Sequence, residues 1–133
     1  EGLADPRVGL GAVAGPAQAR GGVEQLLRAD GHPVPPLLDA ILRFFPLDPY
    51  VPRAVALMAL VPGDTAKTVI WDEYREIIRR HDASFRDFEM VERFAFYERA
   101  RSAYAVLATS ETALYANIIL KKGLVRGGPA GKP

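Results

Sequence analysis

The stretch from residue 93 to residue 123, RFAFYERARSAYAVLATSETALYANIILKKG, carries the polar side chains best suited to chemistry. It contains arginine, tyrosine and amide groups, among them Arg93, Tyr115 and Asn117. Such groups can bind hydroxyls or exchange protons by general acid–base catalysis. Taken alone, each has a more ordinary explanation: a surface arginine, a half-buried packing tyrosine and a strand-end amide. The residue types therefore mark a region of interest and leave its role open.

Two histidines add little to this region. His32 lies beside a proline in the segment ADGHPVP, and His81 precedes an aspartate at the end of a helical pattern. We interpret both as loop residues, because two separate histidines do not form a ligand set for zinc. The chain has no cysteine, which excludes thiolate metal sites, disulfides and a cysteine nucleophile.

The elements that must position these side chains follow from hydrophobic periodicity. Residues 94–102 have helical spacing, 104–109 form a short apolar run typical of a buried strand, and 117–120 predict a β-branched strand. The polar residues 109–112 between the strands predict a turn. If these two strands meet around that turn, Tyr115 and Asn117 lie near a sheet edge or a strand end.

Upstream, helical and extended patterns alternate. Residues 37–45 and 71–80 are amphipathic and predict helices, whereas 54–60 is an unbroken apolar run typical of a strand covered on both faces. Residues 88–93 predict a short extended segment. This alternation indicates an α/β or α+β arrangement, with helices covering a small sheet.

The chain has 133 residues, which favours one domain, and we place its limits at residues 23–125. Residues 1–22 are rich in glycine and alanine and should be poorly ordered or atypical, with at most a poor edge strand around residues 8–13. Their glycines do not link a clear strand to a clear helix, so we reject a dinucleotide-binding loop. Residues 126–133 predict a disordered tail.

Composition excludes several partners and locations. The net charge is +1, which gives no reason to expect nucleic acid or an anionic membrane as a partner. The longest apolar run is far shorter than a membrane-spanning helix, and the first residues lack the pattern of a secretory signal. We therefore expect a soluble protein without a targeting signal.

Several sequence blocks together resemble the L-fucose mutarotases, relatives of the ribose-pyranase proteins. The blocks are RFAFYERA and AVLATSETALYANIILKKG, with LLRADG, PLDPYV and LVPGD upstream, and they span roughly residues 23–125. The resemblance implies an α/β fold with a small mixed β-sheet flanked by helices. It also implies a cytoplasmic isomerase that forms homo-oligomers and needs no cofactor or metal.

The resemblance implies a reaction and a site. Members interconvert the α- and β-anomers of L-fucose by opening and closing the pyranose ring, which requires paired acid and base groups. The family positions matching this chain are Arg93, Tyr115, Ala116 and Asn117 for substrate binding, with Tyr115 also catalytic. Ribose and galactose stay open as substrates, although the blocks resemble the fucose enzymes more closely.

Two departures from the family pattern affect these expectations. Ala116 replaces the glycine of a Tyr-Gly-Asn triplet, and its methyl group would crowd a sugar bound against the backbone there. The family's proton-donating histidine, in a Gly-His-Gly-Asp motif, has no counterpart in residues 1–22. The alternative is thus a catalytically inactive sugar-binding or structural member of the family.

Overall fold

A computed structural model describes residues 10–14, 25–44 and 46–123. It contains six strands and three helices in these ranges. The strands are β1 (Leu10–Ala14), β2 (Gln25–Ala29), β3 (Val55–Met58), β4 (Glu89–Val91), β5 (Ala105–Thr109) and β6 (Ile118–Lys121). The helices are α1 (Val34–Phe44), α2 (Val69–His81) and α3 (Arg93–Arg101).

The strands form a mixed sheet in the order β2-β5-β1-β6-β3-β4. Strand β1 is antiparallel to β5 and parallel to β6, and β3 is antiparallel to β6 and parallel to β4. Strand β2 runs parallel to β5 at the edge. The predicted α/β class, a small mixed sheet flanked by helices, is confirmed.

Side chains alternate between the two faces of the sheet, and each face has its own core. Along β6, Ile118 and Leu120 pack with α1 and α2, whereas Ile119 packs with α3. Strand β3 alternates in the same way, with all four residues buried. This explains why residues 54–60 read as an unbroken apolar run: both faces of the strand are covered by helices.

The helices agree with the periodic patterns. In α2 the buried residues Ile70, Tyr74, Ile77 and Ile78 share one face, and Arg79, Arg80 and His81 occupy the last turn. Cations at that position interact favourably with the helix dipole. In α1 the predicted apolar positions Leu38 and Leu42 are buried, while Phe45 lies outside the described residues.

Two expectations about the sheet are wrong. Strands β5 and β6 do not pair with each other around their turn, because β1 lies between them and pairs with both. Strand β1 is accordingly internal, whereas the glycine-rich sequence suggested at most a poor edge strand. The predicted limits at residues 22 and 126 stay predictions, since their flanking residues lie outside the described part of the chain.

Candidate active site

The predicted site residues Tyr115, Ala116 and Asn117 immediately precede β6, at the end of an internal strand. All three are buried in the chain, with exposed fractions of 2%, 0% and 1%. Tyr115 has a φ of 58°, in the left-handed region. That conformation is unusual for a bulky residue and persists only where its surroundings enforce it.

Helix α2 supplies the hydrogen bonds that hold this segment. The indole N–H of Trp71 donates to the backbone carbonyl of Tyr115 at 2.8 Å. The hydroxyl of Tyr74 donates to the next carbonyl, that of Ala116, at 2.6 Å. Because both donors lie on α2, the packing of that helix fixes the two peptide groups that follow the strained residue.

The side chains of Tyr115 and Ala116 lie on opposite faces of the sheet. The side chain of Tyr115 joins the core beneath α3, whereas Ala116 joins the core beneath α1 and α2. The methyl group of Ala116 is thus enclosed by the protein's own interior. It does not project from the surface, so the structure gives no support for the expected crowding of a sugar by this methyl group.

The hydroxyl of Tyr115 is held by a loop on the α3 side of the sheet. It donates to the carboxylate Oδ2 of Asp64 at 2.5 Å and accepts from the backbone N–H of Val61 at 3.2 Å. Burial, together with the bond to Asp64, raises the pKa of Tyr115. The same bond, reinforced by the Ala66 N–H, lowers the pKa of Asp64. A protonated phenol therefore faces an ionised carboxylate at neutral pH.

Arg93 is the first residue of α3 and lies on the same side of the sheet as Tyr115. Its guanidinium carbon is 5.3 Å from the ring centroid of Phe94. Its positive charge acts to lower the pKa of Tyr115, opposing the larger effect of burial. The helix start that carries Arg93 is fixed by Glu92, whose carboxylate accepts from the N–H groups of Phe94 and Ala95.

The histidines lie in other surroundings. His81 ends α2 and bonds through Nε2 to Asp39 of α1 at 2.7 Å, so it links the two helices. His32 lies in the turn between β2 and α1, where its carbonyl accepts from the N–H of Ser110. Among the described residues there is no group of three or more His, Cys, Asp or Glu side chains that could hold a metal ion.

Two surface clefts lie apart from the triplet. One, of about 570 Å³, is formed by residues 46–54 and 81–87, and the other, of about 400 Å³, adjoins it at residues 51–54. None of Arg93, Tyr115 and Asn117 lines either cleft. In the described ranges, no helix has both the length and the apolar character needed to cross a bilayer.

Sequence reasoning missed the residues that hold Tyr115 in place. Asp64 and Val61 belong to a Val-Pro-Gly-Asp turn that the sequence does indicate, and Trp71 and Tyr74 belong to a helix that it predicts. The sequence therefore indicates both the turn and the helix. It does not indicate that they contact Tyr115, which lies more than forty residues later in the chain.

Comparisons with known proteins identify the family to which this chain belongs. The model of the RbsD / FucU transport protein family matches residues 12–125. The chain therefore belongs to the RbsD / FucU transport protein family. The resemblance identified from the sequence blocks is confirmed.

Particular relatives are similar over most of the chain. The fucose mutarotase of Homo sapiens is 49% identical over 106 residues, which cover 77% of this chain and 68% of that protein. The crystal structure of FucU from Bifidobacterium longum has a TM-score of 0.75 and 45% identity, covering 90% of this chain and 86% of the other. A Streptococcus pneumoniae fucose mutarotase in complex with L-fucose has a TM-score of 0.70 and 40% identity, with coverages of 90% and 85%.

Proposed function

We propose that this chain is an L-fucose mutarotase, an isomerase that interconverts the α- and β-anomers of L-fucose. The observation that carries the proposal is the similarity to relatives of that name, with 49% identity to the human protein. The likeness to a structure that contains L-fucose supports a monosaccharide as the substrate.

We assign the chemistry to Tyr115 and the binding to Arg93, Tyr115, Ala116 and Asn117, with Ala116 contributing through its backbone because its methyl group lies in the core. Ring opening moves the proton of the anomeric hydroxyl to a base while the ring oxygen gains a proton, and closure reverses both transfers. The phenol of Tyr115, which is hydrogen-bonded to the carboxylate of Asp64, can take part in such a proton exchange. Arg93 adds a donor and a positive charge on the same side of the sheet, and Asn117 adds amide donor and acceptor groups.

Saturation-transfer NMR tests the activity directly. L-Fucose is mixed with the purified chain, and magnetisation transfer between the α and β anomeric protons is compared with the rate in buffer alone. Tyr115→Phe should keep the fold and abolish most of the catalysed exchange. Tyr104→Phe is the matched control, because it removes the same hydroxyl from a side chain that is 49% exposed.

The outcomes separate the candidate functions. Absence of exchange in a folded wild-type chain would refute the proposed activity. Saturation of L-fucose signals without anomer exchange would instead indicate a sugar-binding protein. Full exchange in Tyr115→Phe would remove Tyr115 from the mechanism while leaving the activity established. Parallel samples with D-ribose and D-galactose define the sugar preference.

We also propose that the chain forms a homo-oligomer. Several large apolar side chains are exposed on the described surface, among them Phe44 at 77% and Phe94 at 70%. Aromatic residues are enriched in the interfaces of protein assemblies. Phe94 adjoins Arg93, so an interface there would lie beside the proposed site. Size-exclusion chromatography with light scattering should give a mass above 14.5 kDa, and a monomer at working concentration would contradict the proposal.

We propose a cytoplasmic location. A chain without cysteine has no disulfide to form and is compatible with a reducing compartment. Fractionation of cells that express the protein should recover it with cytosolic markers. Recovery with the membrane or secreted fraction would contradict this location.

A further inference from the structure

The turn formed by residues 61–64, Val-Pro-Gly-Asp, encloses the hydroxyl of Tyr115. The N–H of Asp64 donates to the carbonyl of Val61 at 2.9 Å, and Gly63 has a φ of 87°. Proline at the second position and a left-handed glycine at the third are typical of a type II turn. Folding the turn brings its two ends together at one point of the structure.

Both ends of the turn bond to the same phenol oxygen. The N–H of Val61 donates to it, and the carboxylate of Asp64 accepts its proton. The other carboxylate oxygen of Asp64 accepts the N–H of Ala66 at 2.9 Å, so the side chain is held at both oxygens. The direction of the O–H bond of Tyr115 is therefore defined by the turn.

We propose that Asp64 is a positioning residue that acts through Tyr115 and takes up its proton during the reaction. This inference rests on the proposed mutarotase function. The phenol proton points at Asp64, and one lone pair accepts from Val61. The phenol oxygen can therefore still accept a hydrogen bond from a sugar hydroxyl, but it has no further proton to donate. Tyr115 thus receives a hydrogen bond from the anomeric hydroxyl and does not donate one.

The proton movements balance without a free phenolate. As the bond between the anomeric carbon and the ring oxygen breaks, the anomeric hydroxyl gives its proton to the Tyr115 oxygen. The phenol proton passes at the same time to Oδ2 of Asp64, and the anomeric oxygen becomes a carbonyl. A water molecule protonates the ring oxygen, and Asp64 returns its proton to the resulting hydroxide. Closure on either face of the carbonyl runs these transfers in reverse.

The position of the pair supports this route. Tyr115 is almost fully buried, whereas Asp64 is exposed at the end of its turn. A proton that leaves the buried oxygen reaches solvent through Asp64. Without the carboxylate, Tyr115 would have to become a phenolate in an apolar environment, which burial opposes.

A titration tests the contact independently of activity. The chain has five tyrosines, so ¹³Cζ-labelled tyrosine gives five resonances, and Tyr115→Phe identifies the one from Tyr115. In Asp64→Asn the pKa of Tyr115 should fall, because the charge of Asp64 and its bond to the phenol both raise it. The matched control is Asp82→Asn, because the carboxylate of Asp82 likewise accepts the N–H of the residue two positions later, Ser84.

Kinetics test the role. In Asp64→Asn the amide oxygen can still accept the hydrogen bond but cannot take the proton, so kcat should fall at least about tenfold with KM within about twofold of wild type. Asp82→Asn should leave both constants unchanged. A purely structural contribution of the turn would instead alter stability and KM without the selective loss of kcat.

The outcomes are distinguishable. Wild-type kcat in Asp64→Asn, together with an inactive Tyr115→Phe, would overturn this inference and leave the proposed function intact. An unchanged titration of Tyr115 in Asp64→Asn would show that the contact is absent, and would also overturn it. A wild-type chain without anomer exchange would refute the proposed function, and with it the role of Asp64 in the reaction.

Discussion

The hydroxyl of Tyr74, on helix α2, stabilises the candidate site, and its removal should lower the free energy of unfolding of the whole domain. Tyr74 is fully buried, and its hydroxyl donates to the carbonyl of Ala116, which is also fully buried. In Tyr74→Phe the ring keeps its packing while the carbonyl loses its described partner. A buried polar group left without a hydrogen bond costs about 1–3 kcal/mol. For a chain of this size that loss lowers Tm by about 3–12 °C.

Urea and thermal unfolding, followed by circular dichroism, measure this loss. Tyr104→Phe removes a hydroxyl at the surface and should change the free energy of unfolding by less than about 0.5 kcal/mol. If Tyr74→Phe behaves like that control, the carbonyl of Ala116 has found another partner and the reasoning is refuted. The double variant with Trp71→Phe should be non-additive, because Trp71 and Tyr74 hold adjacent peptide groups.

Two further predictions concern the rest of the fold. In Gly123→Ala the new Cβ would lie 2.7 Å from the carbonyl oxygen of Leu47, so unfolding in urea should show a loss of about 1–3 kcal/mol; wild-type stability would mean that the backbone shifts freely. Asp39 has a pKa held below its ordinary value of 3.8, chiefly by its bond to His81. Its stabilisation is therefore present above that value and is lost as the pH falls through the lowered pKa. Asp39→Asn should be less stable than wild type at pH 7, and the difference should shrink as the pH falls through the lowered pKa of Asp39; a pH-independent difference would contradict the assignment.

Local elements could be predicted because their causes are local. The residues Tyr74, Ile77 and Ile78 recur at helical spacing, and α2 forms where that pattern occurs. Strand β3 was visible as an apolar run because both of its faces are covered. Neither prediction required knowledge of a distant residue.

The position of β1 and the conformation of Tyr115 have causes elsewhere in the chain. Strand β1 is short and consists mostly of small residues within a Gly/Ala-rich segment, and its place in the sheet is determined by pairing with β5 and β6. Tyr115 adopts a left-handed conformation that its residue type disfavours, and hydrogen bonds from Trp71 and Tyr74 fix the adjacent carbonyls. The resemblance to a family located the Tyr-Ala-Asn segment, but the bonds that hold it became evident only from the fold.

The internal location of β1 has a consequence for how the protein is made. Among the strands that the structure describes, β1 alone links the pair β2-β5 to the trio β6-β3-β4. It pairs residues near the start of the chain with partners about one hundred positions later, and such distant pairing makes folding slow. During synthesis β1 leaves the ribosome before β5 and β6, so it cannot pair with them until they have been made. The pair β2-β5 and the trio β6-β3-β4 become one sheet when β1 pairs with both.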